Sequence, residues 1–301
     1  MTNQLAIVFP GQGSQKVGML QELSQQYPQV LITFNEASEV LDYNLWDVVQ
    51  NGPEETLNQT QITQPALLVA SYAMWRIWQE QNPGKIPAFM AGHSLGEYTA
   101  LVCANAIDFK TAVLLVQDRG RLMQEAFTGA SAMVAIVGLD TELVKQICTQ
   151  ASQETNEILV PANYNSIGQI VLAGQFNAAT KAAELAKVAG AKIAKILPVS
   201  VPSHCELMRP AAEKLKLRLA EITINAPKIP VIHNADVAYY QNPEQIRDAL
   251  VSQLYSPVRW VETVEFMVNN NINVILECGP GKVLTGLNKR INMNIEIGCV
   301  L

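Results

Sequence analysis

The stretch Phe89-Met90-Ala91-Gly92-His93-Ser94-Leu95-Gly96-Glu97-Tyr98 decides how the chain reads. Its apolar opening, Phe89-Met90-Ala91, has the character of a buried strand, and the Ala- and Leu-rich segment after Gly96 that of a helix. Between them Gly92-His93-Ser94-Leu95-Gly96 matches G-x-S-x-G, whose small glycines let the backbone turn tightly while the serine projects from the bend. The amide of Leu95, at the start of the helix, can stabilise developing negative charge. Alone, the motif describes a glycine-rich turn with an incidental serine equally well. Set at a strand–helix junction, it makes Ser94 a candidate nucleophile.

Upstream, Leu5 to Phe9 form a short apolar run stopped by Pro10-Gly11-Gln12-Gly13, a first strand entering a tight loop. Sites on parallel sheets gather at strand C-termini, so the backbone N–H of Gln12 is a candidate second oxyanion donor. Helical periodicity follows over 30–41 and 65–79, where Leu68, Tyr72, Trp75 and Trp78 recur at three- and four-residue spacing. Strands alternating with helices predict an α/β domain with a mainly parallel sheet. Between 129 and 199 the rhythm changes to strand (133–137), helix (141–152), strand (158–164), strand (169–173), helix (177–189) and strand (192–197). That order is the split βαβ pattern of a ferredoxin-like α+β module, with Asn165-Ser166-Ile167-Gly168 as its hairpin turn. The expected organisation is a discontinuous large domain, 1–128 and 200–301, carrying an inserted small domain, 129–199.

A serine needs a base, and the chain has 3 histidines, His93, His204 and His233. His93 adjoins the serine, where neighbours on a turn point apart, and is expected to buttress the loop. His204 follows Val199-Ser200-Val201-Pro202-Ser203, where the chain returns from the small domain to the cleft, and is the candidate base. His233, after Ile229-Pro230-Val231-Ile232, reads as a structural residue at a strand end. No Asp or Glu between Ser94 and His204 presents itself as the third member of a triad. In the helix expected over 109–127, Arg119 falls within the apolar stripe of Ala112, Leu115, Val116, Leu122, Met123 and Ala126. An inward guanidinium suits bidentate binding of a carboxylate, although snorkelling or an internal ion pair would also explain it.

The 21 Lys and Arg against 27 Asp and Glu give a formal charge of −6, which favours no nucleic-acid partner. Cys103, Cys148, Cys205, Cys278 and Cys299 lack metal-binding spacing and read as buried free thiols. With no apolar stretch near the roughly 20 residues a bilayer requires and no signal-like N-terminus, the expectation is a cytoplasmic protein without a membrane partner.

Further signatures are Phe9-Pro10-Gly11-Gln12-Gly13-Ser14-Gln15, Arg119-Gly120, Asn163-Tyr164-Asn165-Ser166 with Gly168-Gln169, Pro198 through His204, and Glu277-Cys278-Gly279-Pro280-Gly281-Lys282-Val283-Leu284. With the serine motif they run in the order of the bacterial malonyl-CoA:acyl carrier protein transacylases, which the sequence resembles end to end. The resemblance implies Ser94 as nucleophile, His204 as base, Arg119 as clamp for the malonyl carboxylate, and the Gln12 and Leu95 amides as oxyanion hole. It also implies Gln253 as the residue whose carbonyl orients His204. Malonyl-CoA and holo acyl carrier protein would be the substrates, with no metal or other cofactor, and the enzyme a monomer serving fatty acid synthesis. Ile167 departs from the family, whose members often carry Pro there. An acidic carrier would meet a basic rim, for which Lys192, Lys195, Lys282, Lys289 and Arg290 are candidates. A serine thioesterase using the same pair, and a non-catalytic carrier-binding module, are the rival readings.

Overall fold

The computed structural model describes residues 4–197 and 201–301. The first half runs β1 (Leu5–Phe9), α1 (Gln21–Gln26), α2 (Gln29–Leu41), α3 (Leu45–Asn51), α4 (Glu54–Leu57), α5 (Thr60–Gln81), β2 (Phe89–Gly92), α6 (Leu95–Cys103) and α7 (Phe109–Glu125). Next come β3 (Ser131–Val137), α8 (Thr141–Thr155), β4 (Leu159–Ser166), β5 (Gln169–Gln175), α9 (Phe176–Val188) and β6 (Ile193–Ile196). The chain finishes with a 3₁₀ turn (Glu206–Met208), α10 (Arg209–Ala220), β7 (Val231–Ile232), α11 (Pro243–Gln253), α12 (Trp260–Asn269), β8 (Val274–Glu277), α13 (Val283–Ile291) and β9 (Glu296–Cys299).

Five strands form one sheet in the order β7-β2-β1-β8-β9, every neighbour parallel. Because such a sheet is covered on both faces, β1 is apolar throughout. Its Leu5, Ile7 and Phe9 pack with α5, α6 and α7, while Ala6 and Val8 pack with Trp260, Val264 and Leu287 of α12 and α13. The expected α/β class with a mainly parallel sheet is borne out. β2 and β7 lie to one side of β1 and β8 and β9 to the other, so the crevice at the strand C-termini opens where β1 and β2 end.

A second, antiparallel sheet has the order β4-β5-β3-β6, with α8 and α9 packed on one face over an apolar cluster of their own. This is the split βαβ arrangement that the spacing predicts. The turn is shorter than expected: Ser166 pairs with Gln169, so β4 continues through Asn165 and Ser166, leaving Ile167 and Gly168 as the connection. Gly168 takes φ +69°, a conformation that costs glycine little, and Ile167 is exposed. A further departure is α5, which starts at Thr60 rather than at Pro65 and carries the proline inside its second turn. The expected return to the large domain at 199/200 lies outside the described residues.

Candidate active site

The bend at Ser94 is built by close approach. A Cβ on Gly92 would lie 1.8 Å from the carbonyl carbon of Gly96, and one on Gly96 would lie 2.1 Å from the carbonyl oxygen of Phe9. Both contacts are with backbone, so neither can be relieved by moving a side chain. Ser94 itself sits at φ 51°, ψ −105°, a conformation that costs a non-glycine residue about 1–3 kcal/mol. Asn234, just beyond β7, holds it there. Its Oδ1 accepts from the Ser94 N–H at 2.7 Å and its Nδ2 donates to the Gly92 carbonyl at 2.7 Å.

His204 Nε2 lies 2.8 Å from Ser94 Oγ, and His204 Nδ1 lies 2.8 Å from the carbonyl oxygen of Gln253 at the end of α11. A carbonyl can only accept. Nδ1 therefore carries the ring proton, and Nε2 presents its lone pair to the serine hydroxyl. Burial, followed by the nearby Arg119 charge, pushes the His204 pKa down to about 3, with the Gln253 bond opposing. The imidazole is thus neutral at ordinary pH and ready to accept a proton.

Arg119 comes from the middle of α7 and is 1% exposed, which removes the snorkelling explanation. Nη1 donates to Gln64 Oε1 at 2.8 Å, and Nη2 to Gln253 Oε1 at 2.8 Å and to Ser94 Oγ at 3.2 Å. The guanidinium also lies 5.2 Å from the centre of the Tyr98 ring, while its Nε has no hydrogen-bond partner among the described residues. None of the ion pairs among the described residues includes it. Burial lowers its pKa, and the neighbouring Tyr98 and Glu97 oppose that shift. A cation so enclosed, hydrogen-bonded among the described residues to neutral acceptors only, is suited to receive an anionic group.

Ser94, His204, Arg119, Leu95 and Gln12 line one cavity of about 170 Å³, together with Met123, Met133, Asn163, Asn165 and Val171. The structure thus brings together the serine, histidine, arginine and both candidate oxyanion residues, with Gln253 directly behind. A larger cavity of about 760 Å³ lies on the opposite face of β4, bounded by Tyr164, Ser166 and Ile167, and contains no serine–histidine pair.

Three results correct or extend the sequence reading. His93 buttresses the bend through a hydrogen bond, as expected, and its partner is distant: Asn165 Oδ1 of β4, 2.8 Å away, which ties the bend to the small sheet. The histidine is oriented by a carbonyl, so the absent triad acid has no vacancy to fill. Gln64, Glu97 and Asn234 were not singled out, yet each touches a site residue or its immediate support. His233 is buried at the end of β7 as expected, with Nδ1 2.7 Å from Glu97 Oε1. Of the candidate basic rim, Arg290 bonds Gln169, and Lys282 lines a separate depression beside Leu20.

A serine at a strand–helix bend, a carbonyl-oriented histidine and a buried arginine beside both define a site of the acyl transferase class, and the acyl transferase domain family matches residues 6–291. The malonyl CoA-acyl carrier protein transacylase of Escherichia coli K12 is 56% identical over 289 residues, covering 96% of this chain and 93% of that protein. The Bacillus subtilis protein of the same name is 44% identical over 295 residues, 98% of this chain and 92% of its own. Among solved structures, the malonyl CoA-acyl carrier protein transacylase of Coxiella burnetii superposes with a TM-score of 0.96 at 52% identity, covering 99% and 94% of the two chains. A malonyl-transacylase in complex with a holo type II PKS acyl-carrier protein gives 0.95 at 55% identity, covering 97% and 94%. The chain belongs to the malonyl CoA-acyl carrier protein transacylase family.

Proposed function

We propose that this chain transfers the malonyl group of malonyl-CoA to the phosphopantetheine thiol of acyl carrier protein through a malonyl ester on Ser94, feeding fatty acid chain elongation. The observation that carries this reading is the convergence of His204 Nε2 at 2.8 Å and Arg119 Nη2 at 3.2 Å on one serine oxygen. In the first half-reaction His204 takes the Ser94 proton as Oγ bonds to the thioester carbon. The oxyanion rests on the Gln12 and Leu95 amides, the C–S bond breaks, and coenzyme A leaves with the proton from His204. In the second, the carrier thiol gives its proton to His204 as its sulfur bonds to the ester carbon; the C–O bond to Ser94 then breaks and His204 returns the proton to Oγ. Arg119 holds the malonyl carboxylate throughout, exchanging its contact with the neutral Ser94 Oγ for an ion pair.

The transfer chemistry requires no metal or other cofactor. We further read residues 129–199 as the inserted domain forming one wall of the cleft, and the enzyme as a cytoplasmic monomer. Among the described residues no helix is long and apolar enough to cross a membrane. The exposed Lys192, Lys195, Lys282, Lys289 and Arg290 remain the candidate rim for the acidic carrier.

Intact-mass measurement after brief exposure to malonyl-CoA tests the reading. The expected result is a malonyl increment on the wild type that added holo carrier discharges, and none on Ser94→Ala. Malonate accumulating without an acceptor thiol would instead identify a hydrolase, and no adduct with no turnover would leave the binding-module reading.

A further inference from the structure

Glu97 opens α6, three residues past Ser94. A carboxylate in a first helical turn ordinarily faces solvent, but this one is fully buried. Its Oε1 meets His233 Nδ1 at 2.7 Å, and its Oε2 accepts both the Asn234 N–H and Gln253 Nε2 at 2.9 Å. Through Asn234 it supports the strained serine bend; through Gln253 it reaches the arginine.

The side-chain amide of Gln253 lies between groups that leave it one orientation. Arg119 can only donate, so it must face the oxygen; the Glu97 carboxylate and the Ser94 carbonyl, 3.0 Å from Nε2, accept from the nitrogen. Reversing the amide would set its NH₂ against the guanidinium and its oxygen against two acceptors. Glu97 thus fixes which end of the amide Arg119 meets, and with Gln64 that amide fixes the plane of the guanidinium.

We infer that Glu97 is a positioning residue for acyl selectivity, holding the Gln253 amide so that it aims the Arg119 guanidinium into the cavity. This rests on the malonyl reading of the site. Gln253 then serves two ends at once: its backbone carbonyl sets the base, while its side chain sets the carboxylate clamp.

The experiment is a comparison of kcat/KM for malonyl-CoA and acetyl-CoA in wild type, Glu97→Leu, Glu97→Gln, Gln253→Leu and the Glu97→Leu/Gln253→Leu double variant. The ratio of the two values is unaffected by how much of a preparation is folded. Glu97→Leu removes the acceptor and is expected to lower the malonyl-over-acetyl ratio about tenfold or more, Gln253→Leu by a similar factor, and the double variant no further. Glu97→Gln retains an acceptor oxygen for Gln253, and His233, whose Nε2 has no partner among the described residues, can switch tautomer to meet the new NH₂. It should therefore restore most of the ratio. If Glu97→Leu does not fold, a near-normal ratio in Glu97→Gln beside a lowered one in Gln253→Leu supports the relay. A wild-type ratio in Gln253→Leu or in folded Glu97→Leu overturns it, as do additive losses in the double variant. Lack of malonyl preference in the wild type would instead overturn the underlying reading of Arg119.

Discussion

Adding one methyl group at Gly96 should disarm the enzyme without touching any reacting atom. The new Cβ would lie 2.1 Å from the Phe9 carbonyl oxygen, 2.7 Å from its carbon and 2.9 Å from the Pro10 carbonyl oxygen. An ordinary carbon–oxygen contact is about 3.3 Å, so α6 and the end of β1 must separate by about 1.2 Å. Ser94 lies on the same turn and would be carried with it. Passed on in full, that displacement stretches the 2.8 Å contact with His204 to about 4 Å, beyond hydrogen-bond reach. Misplacement on this scale costs about 10²-fold in rate, and the overpacking about 1–3 kcal/mol in stability. The assay is coenzyme A release in a single turnover with malonyl-CoA, with calorimetric Tm on the same samples. Gly286→Ala in α13, where a Cβ meets nothing within 4 Å, is the control and should be neutral or slightly stabilising. A Gly96→Ala enzyme with wild-type turnover and Tm would refute the idea that this close approach sets the serine.

Arg119→Met keeps an apolar stem but removes the cation; it should lower kcat/KM for malonyl-CoA about 100- to 1000-fold and shift preference toward acetyl-CoA, the price of an uncompensated buried carboxylate. Unchanged preference would sink the clamp. His204 supplies a stability prediction. Its folded pKa of about 3 lies below the ordinary value of 6.5, so its contribution is complete above pH 6.5 and declines as pH falls toward 3. Between pH 7 and 5 it should cost on the order of 2 kcal/mol, a contribution that His204→Gln removes in denaturant titrations, leaving the slope of the buried His93, whose pKa burial also lowers. An equal slope in both proteins would show that the buried imidazole is not its source.

The bend at Ser94 is legible in the sequence because its cause is local: a strand, two small residues and a helix lie within ten positions. His204 was found by elimination among three histidines, and Arg119 from its place on an apolar helical face. Gln253 was named only through family resemblance, because a backbone carbonyl leaves no mark on side-chain pattern. Gln64, Glu97 and Asn234 escaped for a different reason. Gln64 meets Arg119 across 55 positions, and Glu97 meets Asn234 across 137, contacts that exist only once distant elements pack. A buried Glu in a first helical turn resembles an ordinary exposed one, and only the absence of solvent distinguishes it. The hairpin is two residues shorter than composition suggests: Asn165 and Ser166 are turn-like, yet Ser166 pairs with Gln169 across an irregularity at Asn165, which keeps both in β4.

The separation of the working parts along the chain has a consequence during synthesis. Ser94 and His204 are 110 residues apart, and the Gln253 amide that bonds the Ser94 carbonyl comes 159 residues after the serine. At about 5–20 residues per second, a ribosome needs roughly 8 to 30 seconds between making the serine and making the residue that sets its base. Throughout that interval the hydroxyl is an ordinary alcohol, without the oriented base that would activate it. On the proposed mechanism, reactivity arrives only when α11 docks, so the order in which the parts are made keeps the nascent polypeptide from premature acylation.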